Sequence, residues 1–378
     1  MANLALIPIT NIYAGGDYTG RILVGPKQVP MNVLLDTGSS ALALDGTKYQ
    51  PDTADGDQTT NLAQTDSYGD GSNFTGAVIT TQISIGDEAS PIVLAGANAA
   101  IAYTASADMF GLADGILGLA YALLDDAFTM EDDTWQHQYT STEVRSGSKG
   151  TIQPYLTQLA AGGITSDIIS FVTRRSFIHV GGGDGEDPLN QGLMVVGGGE
   201  QCTTLYTGEF QVAKVLSDDW YSTNLKSVQV GTTDPVLARI EGPQGMSSNS
   251  IVDSGTQTLD ISPQMLDAIL SKFSAEQNQM LTQSIQGQPV AVTDLNLADW
   301  PTLTFVLEGL TDDVTLQVTP SDYWQVDTRT VGNAQAAISS GQPGLAILGL
   351  PLMNPYFVIF DGEAADGRGV VKFATRAN

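Results

Sequence analysis

Short apolar runs recur along this chain, each ending in a glycine-containing turn, and two of them carry an aspartate at the end. Val33-Leu34-Leu35-Asp36-Thr37-Gly38-Ser39-Ser40 is the first, and Ser250-Ile251-Val252-Asp253-Ser254-Gly255-Thr256 repeats its pattern 253 − 36 = 217 residues later. A run of three or four apolar residues reads as a buried strand, and a Gly just beyond it lets the backbone turn where a side chain would clash. Each Asp is therefore expected at the end of a buried strand. Further along each half comes an apolar-apolar-Gly segment, Asp114-Gly115-Ile116-Leu117-Gly118-Leu119 and then Leu345-Ala346-Ile347-Leu348-Gly349-Leu350. Four segments in the order A, B, A, B predict two similar halves, each presenting one carboxylate.

The rest of the pattern supplies connecting elements. Asn3 to Ile12 is apolar and β-prone, and Asp17 to Gly25 alternates apolar with polar, as a half-buried strand does. A polar loop is expected from Asp45 to Asn61, then a hairpin from Gln64 to Thr80 whose turn lies at Tyr68 to Ser72, with Asp70-Gly71 as the turn signal. Ile152, Tyr155, Leu156 and Leu159 have helical spacing before the stop at Gly162-Gly163, so 151–161 reads as a helix. Gly181 to Asp187 is rich in Gly and acid. It resembles a calcium loop faintly, but a single copy favours an ordinary loop. Ser262-Pro263 gives an N-cap and a first-turn proline to a short helix over 264–272, and Gln277 to Gln288 is polar enough to read as loop in part. Trp300 to Leu307 alternates as a strand, and Asp366 to Gly369 is a turn before a terminal strand from Val370 to Ala374.

Composition narrows the class. At 378 residues the chain is long for one core and comfortable for two, and 15% charged residues with 41 Gly suit short strands and turns better than long helices. A net charge of −27 argues against nucleic acid, whose phosphates need the Lys and Arg that are scarce here. It serves solubility, or alternatively tolerance of acid, because 15 Lys plus Arg leave little positive self-repulsion once carboxylates protonate. Cys202 is the only cysteine, so no internal disulfide forms; it reads as a small hydrophobe. No basic signal region precedes Arg21 and no stretch reaches the roughly 20 apolar residues of a membrane span, so a soluble cytoplasmic protein is expected. The two histidines, His137 and His179, stand outside any zinc-binding His-Glu-x-x-His, and no Gly-x-Ser-x-Gly elbow occurs, so neither metal nor serine chemistry is indicated.

Two carboxylates face to face cannot both ionise easily, so a shared proton is the candidate catalytic device. The two Asp-Thr/Ser-Gly-Ser/Thr motifs, Tyr68-Gly69-Asp70-Gly71-Ser72, Asp114 to Leu119, and Ile347-Leu348-Gly349 through Tyr356 to Asp361 resemble the pepsin-like aspartic proteases over almost the whole chain. Without disulfides or a prosegment, the closest resemblance is to bacterial pepsin homologues of the shewasin type. The resemblance implies an all-β fold of two pseudo-symmetric β-barrel lobes, residues 1–205 and 206–378, joined by an interlobe sheet with a cleft between them. It implies an acid-active endopeptidase that needs no prosegment removal or cofactor, works as a monomer, cuts between large hydrophobic residues and is inhibited by pepstatin-type peptides. Asp36 and Asp253 would hold the attacking water. Thr37 and Ser254 would brace the loops, and Ser39 and Thr256 would bond the outer carboxylate oxygens. Gly38, Gly255, Ile116 and the hairpin residues Tyr68, Gly69 and Asp70 would contact a peptide or protein substrate, the hairpin acting as a flap. Asp70, an acid where many pepsins have a hydroxyl, implies acceptance of Lys before the scissile bond, or is simply a good turn residue. Residues 122–150, acidic and then polar, are longer than the matching family region and read as a surface insertion. Two departures stand out: Ala43 occupies the place of the Trp that usually bonds the flap tyrosine, and Leu350 stands where an Asp is common. A silent peptide-binding protein on the same fold is the alternative, although such relatives usually lose an Asp or its hydroxyl supports and this chain keeps them all.

Overall fold

The structure, a computed structural model, describes residues 3–86, 90–182, 187–238, 242 and 246–377. In the first half the pattern from Asp17 becomes the strand Asp17–Val24, which turns back into Val29–Asp36 with Gly20 opposite Val33. Val29–Asp36 has Gly115–Gly118 as its parallel neighbour, and that strand pairs antiparallel with Leu42–Asp45. Leu42–Asp45 runs parallel to Ile92–Ala105, which returns antiparallel to Asn73–Ile85. Asn73–Ile85 closes the ring on Asp17–Val24, with Ile22 opposite Ile85. These six strands form a closed barrel without free edges. Its inward positions, among them Ile22, Val33, Leu35, Leu44, Ile83 and Ile101, are fully buried.

The second half repeats the centre of this arrangement in shorter strands. Ser250–Val252 runs parallel to Ala346–Leu348, which pairs antiparallel with Leu259–Ile261, which in turn runs parallel to Ile338–Ser340. Both halves thus show parallel, antiparallel, parallel pairing beside an Asp-bearing strand. The A and B segments of the sequence are the two central parallel partners in each case.

Between the halves lie six further strands in the order Ala5–Ala14, Gln191–Val196, Ile168–Val172, Tyr356–Asp361, Val370–Arg376 and Tyr206–Lys214. Ile168–Val172 from the first half and Tyr356–Asp361 from the second meet at the middle, with Ser170 opposite Ile359. Every residue of Tyr356–Asp361 is buried because each face of this sheet is covered. Phe357 and Ile359 pack with Val172 and Val195 on one face, while Val358 and Phe360 join the main core on the other. An uninterrupted apolar strand is what burial on both faces requires, since successive side chains point to opposite sides.

Five expectations change on contact with the structure. Gln277 to Gln288 is loop only in its last three residues: Ala275–Ile285 is a helix that buries only Leu281 and Ser284, a stripe too narrow to show in the composition. Its start was legible as a capping box, in which the Ser274 side chain accepts from the Gln277 N–H and the Gln277 side chain accepts from the Ser274 N–H. Residues 122–150 are more than a surface excursion, for Asp126–Thr129 pairs with Gln58–Ser67, and Ser148–Thr151 pairs with Asp126–Thr129 in turn. Because that pairing consumes residues to Thr151, the following helix begins at Tyr155. The polar loop after Asp45 ends sooner than expected, at the strand Gln58–Ser67. Ser262 does hold the N-cap position of Pro263–Leu270, but its hydroxyl makes no capping bond. The middle of the Gly181 to Asp187 loop, 183–186, lies outside the described residues. Among the described residues no helix is long and apolar enough to cross a membrane.

The interlobe sheet should dominate stability. Phe360 is fully buried, edge-on to Phe171 at 5.9 Å and to Tyr221 at 4.6 Å between ring centroids. Phe360→Ala is expected to cost about 3–5 kcal/mol. The check is urea unfolding at pH 5, with the exposed Leu237→Ala as a control that shifts the midpoint little.

Candidate active site

Asp36 and Asp253 end their strands as the sequence pattern requires, and both are 6% exposed. The chain turns immediately after each, so that the Gly38 N–H donates to Asp36 Oδ1 at 2.8 Å and the Gly255 N–H donates to Asp253 Oδ1 at 2.8 Å. On the outer oxygens, Ser39 Oγ donates to Asp36 Oδ2 at 2.5 Å and Thr256 Oγ1 donates to Asp253 Oδ2 at 2.6 Å. Each carboxylate thus receives the same two donors from its own loop.

The loops are also tied to each other. Thr37 N–H donates to Ser254 Oγ at 3.1 Å, and Ser254 N–H donates to Thr37 Oγ1 at 2.9 Å. Each hydroxyl then passes its own proton to a carbonyl of the opposite strand, Thr37 Oγ1 to Val252 O at 3.2 Å and Ser254 Oγ to Leu35 O at 2.7 Å. All four groups are buried, so the network leaves no unpaired member in the middle of the protein.

Glycine is needed at Gly38 and Gly255 for closeness. A Cβ on Gly38 would stand 2.7 Å from Asp253 Oδ2, and one on Gly255 would stand 2.3 Å from Asp36 Oδ1. Each loop therefore lies against the other loop's carboxylate. The B segments press from behind: a Cβ at Gly118 would meet the Ser40 carbonyl carbon at 2.4 Å, and one at Gly349 would meet Thr256 O at 2.2 Å. Leu119 N–H donates to Asp36 O, and Leu350 N–H donates to Thr256 O, both at 2.8 Å. Leu350, where an Asp is common, is fully buried and opens the short helix Leu350–Met353.

Burial pushes the Asp36 carboxyl well above the usual range, and the charge of Asp253 adds to this; the bonds from Ser39 and Gly38 oppose it. Burial likewise raises Asp253, against the bonds from Thr256 and Gly255. The pair therefore retains a proton at a pH where separate carboxylates have lost theirs.

The hairpin of Gln58–Ser67 and Asn73–Ile85 reaches over this site. Its turn is closed by Gly71 N–H to Tyr68 O at 3.0 Å, and Gly71 takes φ +89°. Gly69 lies at the turn, where a Cβ would come within 4.0 Å of the Gln342 side chain of the second half. Asp70 is exposed, and its Oδ1 accepts the Ser72 N–H at 2.8 Å, a turn-stabilising role. Tyr68, like Leu34, packs against a buried cluster that includes Ala41, Ala43, Phe74, Phe110 and Ile116. With Ala43 in place of a Trp, its hydroxyl is buried near Ser39 and makes no hydrogen bond within range, while Ser39 donates to Asp36.

Two participants escaped the sequence reading. Trp220 Nε1 donates to Gly38 O at 2.8 Å, so the second half also fixes the peptide between Gly38 and Ser39. Asp17 is buried with Oδ2 accepting from Gln257 Nε2 at 2.9 Å. Burial raises its carboxyl well above the usual range, and the charges of Asp253, Asp36 and Asp70 add to this. An acid at the start of an alternating strand was the only signal for it. Among the described residues no group of three or more His, Cys, Asp or Glu is placed to hold a metal ion.

The comparisons agree with this geometry. The family model described as eukaryotic aspartyl protease matches residues 17–146 and 186–374. Gastricsin of Mus musculus is 30% identical over 176 residues, covering 46% of this chain and 40% of the relative. Gastricsin of Homo sapiens is 26% identical over 268 residues, covering 70% and 55%. The chain thus spans about half the length of these two relatives. With gastricsin of Suncus murinus the alignment covers 97% of this chain and 83% of the relative, at 25% identity.

The cross-bonded loops give a direct test. Thr37→Val and Ser254→Ala each orphan buried backbone groups and are expected to cost about 1–3 kcal/mol apiece. The double variant should lose less than the sum, with a coupling of about 0.5–3 kcal/mol in urea unfolding. Strict additivity would mean that the two hydroxyls do not act as one network.

Proposed function

The chain belongs to the aspartyl protease family of pepsin-like enzymes, and from that premise we propose that it is an endopeptidase in which Asp36 and Asp253 activate one water between them. One carboxylate takes a proton from the water as it attacks the scissile carbonyl, and the other, protonated, donates to the developing oxyanion. No covalent intermediate forms and no metal takes part. The observation that carries this reading is the matched set of donors on two buried, facing carboxylates, each pressed by the glycine of the other loop. Such a pair works with one proton shared between its members, the state favoured by burial on both sides.

Tyr68 on the flap packs against an apolar first-half cluster that includes Ile116 and Phe110, which supports preference for large hydrophobic side chains beside the scissile bond. Pepstatin-type peptides should compete with substrate there. Activity should be highest in acid. The dyad fails as pH rises past its upper macroscopic pKa, because the shared proton is then lost.

Stability should follow the same direction. Asp17 is raised by burial, Asp125 is raised to about 7 and Asp167 to about 6, in each case by burial first. A carboxyl whose folded pKa lies above its unfolded value of 3.8 binds more protons in the folded state. The folded state is therefore favoured in acid and loses stability as pH rises through these values. The thermal midpoint is expected to fall steadily from pH 5 to pH 8, readable by calorimetry; a rising midpoint would contradict it.

The catalytic reading is tested with a quenched-fluorescent peptide containing Phe-Phe, from pH 3 to 8. Asp36→Asn and Asp253→Asn should each reduce kcat by about 10²–10⁴-fold or more, and pepstatin should abolish wild-type activity. A well-folded wild type without hydrolysis at any pH would leave the silent peptide-binding reading. For Asp70, a Lys-P1 and a Phe-P1 peptide are compared in wild type, Asp70→Asn and Asp70→Thr. If the carboxylate selects Lys, both variants lose roughly tenfold in Lys over Phe, the worth of one hydrogen bond to a charged group. If Asp70 only builds the turn, Asp70→Asn keeps the Ser72 bond and leaves the ratio unchanged.

A further inference from the structure

The strands from 122–151 do not simply cover the flap; they are fastened to it through a buried acid. Asp125 is 2% exposed and immediately precedes Asp126–Thr129, the strand that adds to the flap strand Gln58–Ser67. Gln64, also 2% exposed, reaches from the flap strand and donates through Nε2 to Asp125 Oδ1 at 2.6 Å and to Asp126 O at 3.1 Å. The Asp125 carbonyl accepts the Ile152 N–H at 3.0 Å, so the same residue also anchors the end of Ser148–Thr151. One side-chain pair therefore joins three strands at the root of the flap.

The charges around this pair are mostly of one sign. Asp66 on the flap strand and Asp126 on its own segment both act on Asp125. Tyr68, two residues beyond Asp66, lies within reach of Asp66, Asp36 and Asp125 together. The cations nearby are engaged elsewhere: Lys149 Nζ sits 2.7 Å from Asp126 Oδ2, and Arg145 faces Asp66. Among the described residues no cation is among the charges that act on Asp125. The Gln64 amide donates to Asp125 and its bond favours the ionised form, but it is one donor against burial and two like-charged neighbours, and burial outweighs it, so the seated geometry favours a neutral Asp125.

We propose that the Gln64–Asp125 pair is an acid-dependent latch, seated when Asp125 is neutral and released when it ionises, which holds the 122–151 strands against the flap and so couples flap order to pH. Burial, foremost among the causes, pushes the Asp125 carboxyl up to about 7. Because the seated form binds the proton more tightly than the released form, seating is complete in acid and is lost as pH rises from the ordinary carboxylate range through about 7. Neutral pH would then disable the protein twice, by taking the proton shared at Asp36 and Asp253 and by loosening the flap that closes over them. The latch rests on reading the hairpin as a flap, but its readout does not need peptidase activity.

The test is amide hydrogen exchange of the whole chain from pH 5 to 7.5, corrected for the intrinsic rise of exchange with pH. In the wild type, protection across Gln58–Ser67, Asn73–Ile85 and Asp126–Thr129 should fall at least tenfold over that range, while Tyr356–Asp361 in the interlobe sheet stays protected. Asp125→Asn, which keeps an acceptor for Gln64 and cannot ionise, should hold its acid-level protection to pH 7.5. Equal loss in wild type and variant, or no loss in the wild type, overturns the latch. If the variant does not fold, the wild-type profile decides alone: loss confined to the flap and the 122–151 strands supports the latch, and loss spread equally over the interlobe sheet overturns it.

Discussion

The reciprocal hydrogen bonds between Thr37 and Ser254 are the constraint on which the rest of this structure depends. Two carboxylates repel as soon as both ionise, and two halves 217 residues apart along the chain have no covalent reason to stay in register. Four bonds, each satisfying a buried backbone group of the opposite loop, hold Asp36 and Asp253 face to face at the centre. Once that register is set, each glycine must lie against the other loop's carboxylate, and each B segment must have a glycine where it presses on the loop in front of it. The repeated motif is thus the trace of one packing problem solved once in each half.

Around this centre the fold separates rigidity from access. The six-stranded interlobe sheet, with Tyr356–Asp361 buried on both faces, fixes the two halves from below. Access is given to the hairpin, whose root is tied to the 122–151 strands and whose turn lies near Gln342 of the second half. The same property, burial with no cation acting on the carboxyl among the described residues, recurs at Asp36, Asp17 and Asp125. It makes the dyad, its surroundings and the flap root respond to pH in one direction.

Much of this was legible in the sequence because it rests on local signals that nothing overrides. The apolar lead-ins, the glycines and the hydroxyls at 37, 39, 254 and 256 all occupy the places and make the contacts that their types suggest. The helix Ala275–Ile285 was misread because its buried stripe is only Leu281 and Ser284, leaving the capping box as its one clear mark. The strands within 122–151 were missed because their stability comes from pairing with a distant strand rather than from their own polar composition. Asp17 and Trp220 were missed for a related reason. Their roles depend on Gln257 and Gly38, which are 240 and 182 residues away along the chain.

The central claim is that one proton belongs to Asp36 and Asp253 jointly. Infrared difference titration of the wild type against Asp36→Asn and against Asp253→Asn, from pH 3 to 8, measures this most directly. The account predicts one protonated-carboxyl contribution above the ordinary range in the wild type that either replacement removes, leaving the contributions of Asp17, Asp125 and Asp167 common to all three proteins. If each variant simply lacks one independently titrating carboxylate and the remaining one is unaffected, the shared proton does not exist and the account is contradicted.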